Sequence, residues 1–403
     1  MKSRLLIVML CFALLCGCWD KHELEDHILV VMMGLDKAQE EGALLVTVAF
    51  PLTQTDSGGE GDSADYAIVS AKAPTVAQAI TLLGVKLAGP VSLFSAKTLV
   101  ISEELAKDDM LGHVFSSGSY GQMRNNTSVV VVNSTAAEFI AARMEKPAID
   151  PLRQEDLLLE QANYNAHYRP MQLLDLMVNI RSGSSDAAAM YGGVTPKEEE
   201  SGDSAQDEQT SGGDIPEQVR RGYLPGQVPI KSDNRAQICG LAVFRADRMA
   251  GALDSEQAQT FAMMTKSPAR KILALPDPLS GHDDIIVSIA PTRRGRIRAY
   301  FAGDTPTFDI EVNLRASVEH IRSGAGYPQD FLAQYIEQAC TQNMQELLHA
   351  LQKEYGADLL GLGDKLARNF LTVQEWEAYN WRERYADAES NIHVNIRMER
   401  TGI

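Results

Sequence analysis

The sequence predicts a multi-domain α+β protein with mixed and antiparallel sheets and helices packed on one face. In the first half, short Val- and Ile-rich runs alternate with stretches of helical spacing, which is typical of a mixed α/β domain. In the second half, strands of strict alternation are grouped around one long helix. The chain has 403 residues, 45% of them hydrophobic and 23% charged, which is typical of two or three globular domains.

The first seventeen residues have the pattern of a signal peptide. Lys2 and Arg4 precede the apolar run Leu5–Leu15, which is too short to span a bilayer as a helix. We therefore expect residues 1–17 to be removed from the mature protein, which places it outside the cytoplasm.

The signal does not end on the small residues of an ordinary cleavage site. It ends on Leu15-Cys16-Gly17-Cys18, which resembles the lipobox of bacterial lipoproteins. Cys18 fits the lipidated position because small Gly17 precedes it, whereas bulky Leu15 precedes Cys16. We expect lipid attachment at Cys18; the alternative is an ordinary signal followed by a chance cysteine.

A diacylglyceryl group with a further N-acyl chain would hold Cys18 in a membrane, because each buried CH₂ contributes about 0.8 kcal/mol. Trp19 would then lie at the headgroup level, where an indole is well accommodated. We expect residues 18–27 to form a membrane-proximal tether.

The charge of the chain argues against nucleic acid as a partner. The formal net charge is −17, and loss of Lys2 and Arg4 leaves 35 basic and 54 acidic residues, or −19. Of five cysteines, only Cys239 and Cys340 remain unassigned in the mature chain. We expect two buried free thiols, with a disulfide as the alternative outside the cytoplasm.

Residues 28–194 are predicted to form an N-terminal α/β domain. Two strands flank turns at Gly34-Leu35-Asp36 and Glu40-Glu41-Gly42. Thr135 and Glu138 form a capping box that begins a helix. The predicted strands are Ile28–Met33, Leu44–Phe50, Tyr66–Ala71, Thr98–Ile101 and Ser128–Val132, and further helices are Pro74–Leu87 and Pro170–Ile180.

Residues 195–219 are predicted to be a disordered acidic linker. Thr195–Gln218 contains eight acidic residues, one lysine and one sizeable apolar residue, so it cannot bury enough surface to offset the entropy of ordering.

Residues 220–403 are predicted to form a C-terminal α+β region, subdivided near 270–285. Its best helix is Gln329–Tyr355, which has one apolar stripe and ends at Gly356. We expect a turn between the strands Ile285–Ile289 and Ile297–Phe301. The other predicted elements are a hairpin of Ile238–Phe244 with Met249–Leu253, a helix capped by Asp254, and the strands Phe308–Leu314 and Ile392–Met398.

No motif in the chain points to catalysis, a cofactor or a metal. It has no phosphate-binding loop, dinucleotide fingerprint, HExxH or nucleophile elbow. His282-Asp283-Asp284 follows Ser280-Gly281 and is interpreted as a turn with solvated carboxylates rather than as a metal site.

Several of these features together resemble one family. Cys18-Trp19-Asp20, with Glu23-Leu24 and Gly34-Leu35-Asp36, resembles the mature start of Ger(x)C-type spore germination lipoproteins. Gly240–Gly251 is similar to the hairpin at the start of that family's C-terminal half. Gly356–Gly363 is similar to its aDxxGxG stretch. This stretch is followed, as in the family, by Trp376 and Trp381, the closing strand Ile392–Met398 and Arg400-Thr401-Gly402. The acidic insert Thr195–Gln218 and the serine-rich stretch Ser116–Tyr120 depart from the family pattern.

The resemblance implies a C subunit of a nutrient germinant receptor in endospore-forming bacteria. Such a subunit has three α/β domains and no established enzymatic activity. It lies on the outer face of the spore inner membrane and works with polytopic A and B subunits, of which B is thought to recognise the nutrient. Direct nutrient binding by this chain is therefore not expected.

Two other classes remain as alternatives. A solute-binding lipoprotein of a transporter usually has two similar lobes around a cleft, whereas the two halves of this chain are patterned differently. A cell-envelope hydrolase would need a cluster of catalytic residues, and the sequence contains no recognisable one.

Overall fold

The computed structural model describes residues 27–52, 66–108, 112, 123–145, 150–196, 222–265, 269–280 and 284–399. Cys18, the tether up to residue 26, residues 197–219 of the predicted linker and His282-Asp283 lie outside these ranges. Within them, no helix combines the length and the apolar character needed to cross a membrane.

The described chain forms fourteen strands in three sheets. The strands are β1 (Ile28–Leu29), β2 (Met32–Lys37), β3 (Leu44–Pro51), β4 (Tyr66–Ala73), β5 (Val91–Ser92), β6 (Thr98–Ser102), β7 (Ser128–Val132), β8 (Ala188–Val194), β9 (Ala236–Arg245), β10 (Arg248–Leu253), β11 (Lys271–Pro276), β12 (Asp284–Ala302), β13 (Thr305–Ile321) and β14 (Glu389–Met398).

The helices lie between these strands and on the sheet faces. They are α1 (Val76–Leu87), α2 (Glu103–Ala106), α3 (Ala136–Met144), α4 (Pro151–Asn165), α5 (Leu173–Arg181), α6 (Ser255–Met264), α7 (Gln329–His349), α8 (Leu362–Leu366), α9 (Val373–Tyr379) and α10 (Trp381–Arg384).

The larger sheet has eight strands in the order β10-β9-β8-β7-β6-β2-β3-β4. Its centre, β2-β6-β7-β8, is parallel, and the strands on both sides of that centre are antiparallel. The predicted pairing of the first two strands is confirmed, although β2 begins four residues later than expected. β9 and β10 form the predicted hairpin and complete this sheet, although they follow the predicted linker. The proposed domain limits stay a prediction.

Gly34-Leu35-Asp36 was predicted to be a turn, and this prediction is wrong. The three residues lie inside β2, because their neighbours pair with β3 on one side and β6 on the other. A Cβ at Gly34 would lie 2.8 Å from Ile140 Cδ1 and 3.0 Å from Ala136 Cβ, so glycine permits close packing of α3. Asp36 is buried and accepts hydrogen bonds from the first amides of α3, Ala136 N at 2.7 Å and Ala137 N at 3.1 Å.

Helices cover both faces of the larger sheet, which differs from the prediction of one covered face. Alternate residues of β7 belong to separate cores: Val129 and Val131 pack with α1, α2 and α5, while Val130 and Val132 pack with α3 and α4. Parallel central strands are buried on both sides for this reason. β8 and α4 are among the elements that the sequence did not predict; β8 is too rich in Ala and Gly to give a strand pattern.

The smaller sheet has the order β11-β12-β13-β14 and is covered on one face by α6 and α7, as predicted. The expected turn between residues 289 and 297 is absent: β12 continues through it, with register shifts between Pro291, Arg293 and Arg296 that absorb the irregular residues. β14 pairs parallel to β13, so this sheet is mixed.

The predicted long helix is confirmed. Its predicted stripe is buried in the core beneath the smaller sheet. The helix continues as a π-helical turn, Ala350–Tyr355, and ends at Gly356 as expected. The buried stripe comprises Leu332, Ile336, Cys340, Met344, Leu347 and Leu351.

Candidate functional site: the cleft and its two buried aspartates

A cleft of about 810 Å³ lies where the larger and the smaller sheet meet. One wall consists of α5 with the segment before it, the start of β8, and β9. The other wall consists of α6, β12, β13 and α8. Charged side chains of both signs line it, so the cleft has no single-sign field to select an ion. These are Arg169, Asp175, Asp186, Arg296, Glu311, Asp364, Lys365 and Arg368.

Asp358 is fully buried beside the cleft, and its carboxylate caps α8. Oδ1 accepts from Leu362 N at 2.9 Å, and Oδ2 accepts from Gly363 N at 2.7 Å. The Trp381 indole Nε1 donates to Oδ2 at 3.1 Å. One carboxylate therefore fixes α8 and α10 relative to each other, which is the physical role of the aspartate in the Gly356–Gly363 stretch.

Asp186 connects this arrangement to the larger sheet. Its Oδ2 accepts from Asp358 N at 3.0 Å, and its own amide donates to the Asp358 carbonyl, also at 3.0 Å. Its Oδ1 accepts from Ala246 N, in the β9–β10 turn, at 2.9 Å and from Arg382 Nη2 at 3.0 Å. We call Asp186, Asp358, Trp381 and Arg382 the aspartate joint, because they link both sheets to the C-terminal helices.

Aromatic packing surrounds the joint. Trp381 is buried and lies edge-on to Phe308 of β13, with ring centroids 5.7 Å apart, and to Tyr385 at 5.6 Å. Trp376 packs on Phe370 at 5.2 Å. The two tryptophans singled out in the sequence therefore have a packing role, and the Trp381 indole also supplies a hydrogen bond to the joint.

Gly363 lies next to the aspartate joint, where the backbone comes very close to its neighbours. A Cβ at this position would overlap the Ser184 carbonyl oxygen and the Trp381 indole ring. The final glycine of the Gly356–Gly363 stretch therefore allows the loop before β8 to contact the start of α8.

Burial raises the pKa of Asp358 from its ordinary value to about 6, although three hydrogen bonds oppose this shift. The folded protein consequently binds more protons than the unfolded chain between about pH 4 and pH 6. The contribution of Asp358 to the free energy of unfolding therefore falls by about 3 kcal/mol as the pH rises through that window.

Asp358→Asn should remove this pH dependence. We expect the difference in unfolding free energy between the parent and the Asn variant, measured by urea denaturation, to shrink as the pH is raised from 4 to 7. The amide places a donor against the backbone donors, so the variant should be less stable at pH 4. A difference that stays constant with pH would contradict the raised pKa.

Arg382→Ala should destabilise the joint by about 2 kcal/mol, because it leaves the buried Asp186 carboxylate without its cation. Arg382 also donates to the Ser182 carbonyl at 2.7 Å. Arg384→Ala is the matched control: its exposed guanidinium bonds only within the same segment, to the Tyr379 carbonyl at 2.9 Å. It should cost less than about 1 kcal/mol. Equal losses in the two variants would count against the joint.

The aspartate joint stabilises the contact between the two sheets and the C-terminal helices, and its carboxylate oxygens are all engaged in hydrogen bonds. Each oxygen of Asp186 and Asp358 accepts at least one hydrogen bond. Across the described residues, no group of three or more His, Cys, Asp or Glu side chains could hold a metal ion.

The two cysteines predicted to be buried free thiols are free and buried. Burial raises the pKa of each thiol to about 12, so neither is a reactive nucleophile.

The predicted lipid-attachment residue, Cys18, lies outside the described residues, and its role stays a prediction. Asp358 lies in Gly356–Gly363, one of the stretches on which the family resemblance rests. Asp186 and Arg382 were missed, because neither lies in a motif and their contact joins positions almost two hundred residues apart.

Comparison with protein families matches both halves of the chain. Residues 20–192 match the family described as the spore germination protein N-terminal domain. Residues 239–402 match the family described as spore germination B3/GerAC like, C-terminal. The aspartate joint draws residues from both matched regions.

Individual proteins with similarity to the chain carry names from spore germination. It is 23% identical to the putative spore germination protein YfkR of Bacillus subtilis (strain 168), over 99% of this chain and 97% of that protein. It is 25% identical to spore germination protein KC of the same strain, over 33% of this chain and 34% of that protein. The crystal structure of the GerBC protein matches with a TM-score of 0.52 and 11% identity, over 91% of this chain and 97% of that one, and so has the same fold.

Proposed function

Since this chain belongs to the GerC-like family of spore germination proteins, we propose that it is a lipid-anchored accessory subunit of a nutrient germinant receptor. In this proposal Cys18 carries diacylglyceryl and N-acyl groups on the outer face of the spore inner membrane. The chain acts there by assembly or signalling with membrane-embedded A and B subunits.

The observation that carries the proposal is the position of the family match. It begins at residue 20, two residues after the predicted lipidated cysteine, and continues to residue 402 in two segments. The predicted signal, Cys18 and Trp19 precede it. A family domain that starts two residues after a lipobox cysteine is consistent with an ectodomain held close to a membrane.

A non-enzymatic role is the part of the proposal that the joint supports. Its two carboxylates are engaged by backbone amides, an indole and a guanidinium. They link the halves of the protein, and each of their oxygens already accepts at least one hydrogen bond. Such a joint can keep one surface of the ectodomain in a defined orientation relative to another, which a subunit that assembles with membrane partners requires.

The solute-binding lipoprotein is not favoured, although a polar cleft lies between the sheets. One wall belongs to an eight-stranded sheet and the other to a four-stranded sheet, so the cleft does not lie between two similar lobes. The family match points to germination instead.

Deletion of the gene tests the proposed role. We expect spores that lack this chain, and that also lack their other homologous receptors, to release no dipicolinate in response to amino acids or sugars. The same strain with the full chain restored should respond to at least one nutrient class. Boiling the spores measures their total dipicolinate and serves as the control. Restored spores that respond to no nutrient would contradict the role.

A further inference from the structure

One side of the larger sheet carries a set of exposed apolar side chains. α1, α5 and the loop after β5 cover this side and pack into one core beneath them. Val85 is 79% exposed and Phe94 is 58% exposed. Exposed apolar side chains that lie together, unlike single ones, are typical of an interaction surface. We call the set the N-terminal apolar face: Leu82, Val85, Phe94, Leu174 and Val178.

The members of this face are connected through short contacts. The guanidinium of Arg124 lies 4.1 Å from the Phe94 ring centroid, and the neighbouring Asn125 carbonyl accepts from Leu174 N at 3.1 Å. Phe94 follows β5, and Gly89 N, just before β5, donates to the Gly84 carbonyl of α1 at 3.2 Å. The face therefore runs from α1 across the loop after β5 to α5.

The start of the described chain lies at this face. Ile28 pairs with Val91, and Ile28 N donates to the Pro90 carbonyl at 2.9 Å. Only eight residues lie between Cys18 and His27, and the nine peptide steps from one to the other can span at most about 30 Å. A lipid at Cys18 would hold this side of the molecule, rather than the C-terminal sheet, nearest to the membrane.

Two cations lie beside the apolar side chains of this face, in a protein whose net charge is −17. The nearby Lys72 and Lys97 instead form ion pairs with Glu40 and Asp156. Lys86 follows Val85 at the end of α1, and Arg124 covers Phe94. Apolar side chains interleaved with cations are typical of surfaces that lie on anionic lipid.

We propose that the N-terminal apolar face lies against the lipid bilayer, with Val85 and Phe94 at the headgroup level and Lys86 and Arg124 on anionic headgroups. This rests on the proposed lipid anchor. The anchor keeps the protein at the membrane, and the face sets its orientation.

The test uses two matched valines in the full-length, lipidated chain. Val85→Cys and Val373→Cys each replace an exposed valine, at 79% and 67% exposure, in the N-terminal apolar face and in α9 of the C-terminal region. Each cysteine is labelled with the fluorophore NBD. Cys239 and Cys340 are buried and stay unlabelled, and Cys18 is acylated.

The labelled proteins are incorporated into vesicles of phosphatidylglycerol and phosphatidylethanolamine that contain doxyl-labelled lipid and no other protein. We expect the label at residue 85 to emit at shorter wavelength and to lose most of its fluorescence to the doxyl quencher. The label at residue 373 should keep both its wavelength and its intensity.

Equal and weak quenching at both positions, in vesicles that carry the protein on flotation, would overturn the bilayer contact and leave the anchor intact. Protection of residue 85 only after the polytopic subunits are added would also overturn it, in favour of a protein partner. Failure to float would contradict the anchor itself, and both proposals with it.

Discussion

Cys18→Ala should abolish the response of spores to the nutrients that this chain serves. Without the thiol no diacylglyceryl group can be attached, and the protein loses an anchor in which each buried CH₂ contributes about 0.8 kcal/mol. The N-terminal apolar face alone would give only reversible binding. We expect the variant to incorporate no labelled palmitate, to leave the membrane fraction, and to reduce nutrient-triggered dipicolinate release to the level of the deletion strain.

Cys16→Ala is the matched control, because it changes a cysteine two residues away in the same segment. It should keep the palmitate label, the membrane location and the full response. Spores in which the Cys18→Ala protein is present at normal amounts and the response is unchanged would show that the anchor is dispensable.

Gly363→Val, next to the aspartate joint, should be more destabilising than any of the other substitutions proposed for this region. The new side chain would overlap the Ser184 carbonyl oxygen, a backbone atom that cannot rotate away, and the Trp381 indole. Relief requires α8 to move, which breaks the hydrogen bond from Gly363 N to Asp358. We expect a loss of at least about 3 kcal/mol in unfolding free energy, measured by urea denaturation.

Gly326→Val is the control for a glycine substitution, since no atom lies within 4 Å of a Cβ at that position and its backbone conformation is ordinary. It should change the unfolding free energy by less than about 0.5 kcal/mol. Near-ultraviolet circular dichroism of the Gly363→Val protein should also change, because Trp381 loses its packing. A Gly363→Val protein as stable as the control would contradict the close approach.

Sequence patterns predicted the elements whose stability is local. The stripe of α7, the hairpin of β9 with β10 and the box of Asp254 with Gln257 at α6 all occur in the structure. In each case the residues that determine the element lie within a few positions of one another. The α+β class follows from the same patterns.

The patterns failed where distant parts of the chain decide the outcome. Gly34-Leu35-Asp36 has the composition of a turn, yet α3, a hundred residues later, packs on Gly34 and is capped by Asp36. β12 continues through Pro291 because β13 pairs with it along both halves. β14 alternates like an antiparallel strand, but its direction is set by the helices that precede it.

Asp36 and Asp358 have the same physical role in the two halves of the protein. Each is buried, has a raised pKa because of burial, and accepts hydrogen bonds from the amides that begin a helix. Both belong to stretches that carried the family resemblance. These aspartates therefore support the fold, and the resemblance at these positions does not mark a ligand site.

Co-purification from spore inner membranes tests the central claim most directly. The full chain with a C-terminal affinity tag is extracted in mild detergent and compared with the Cys18→Ala variant. An accessory receptor subunit should bring down two polytopic proteins in constant proportion, and the unanchored variant should recover far less of them. A lipidated, correctly folded chain that co-purifies with no polytopic protein would contradict the account.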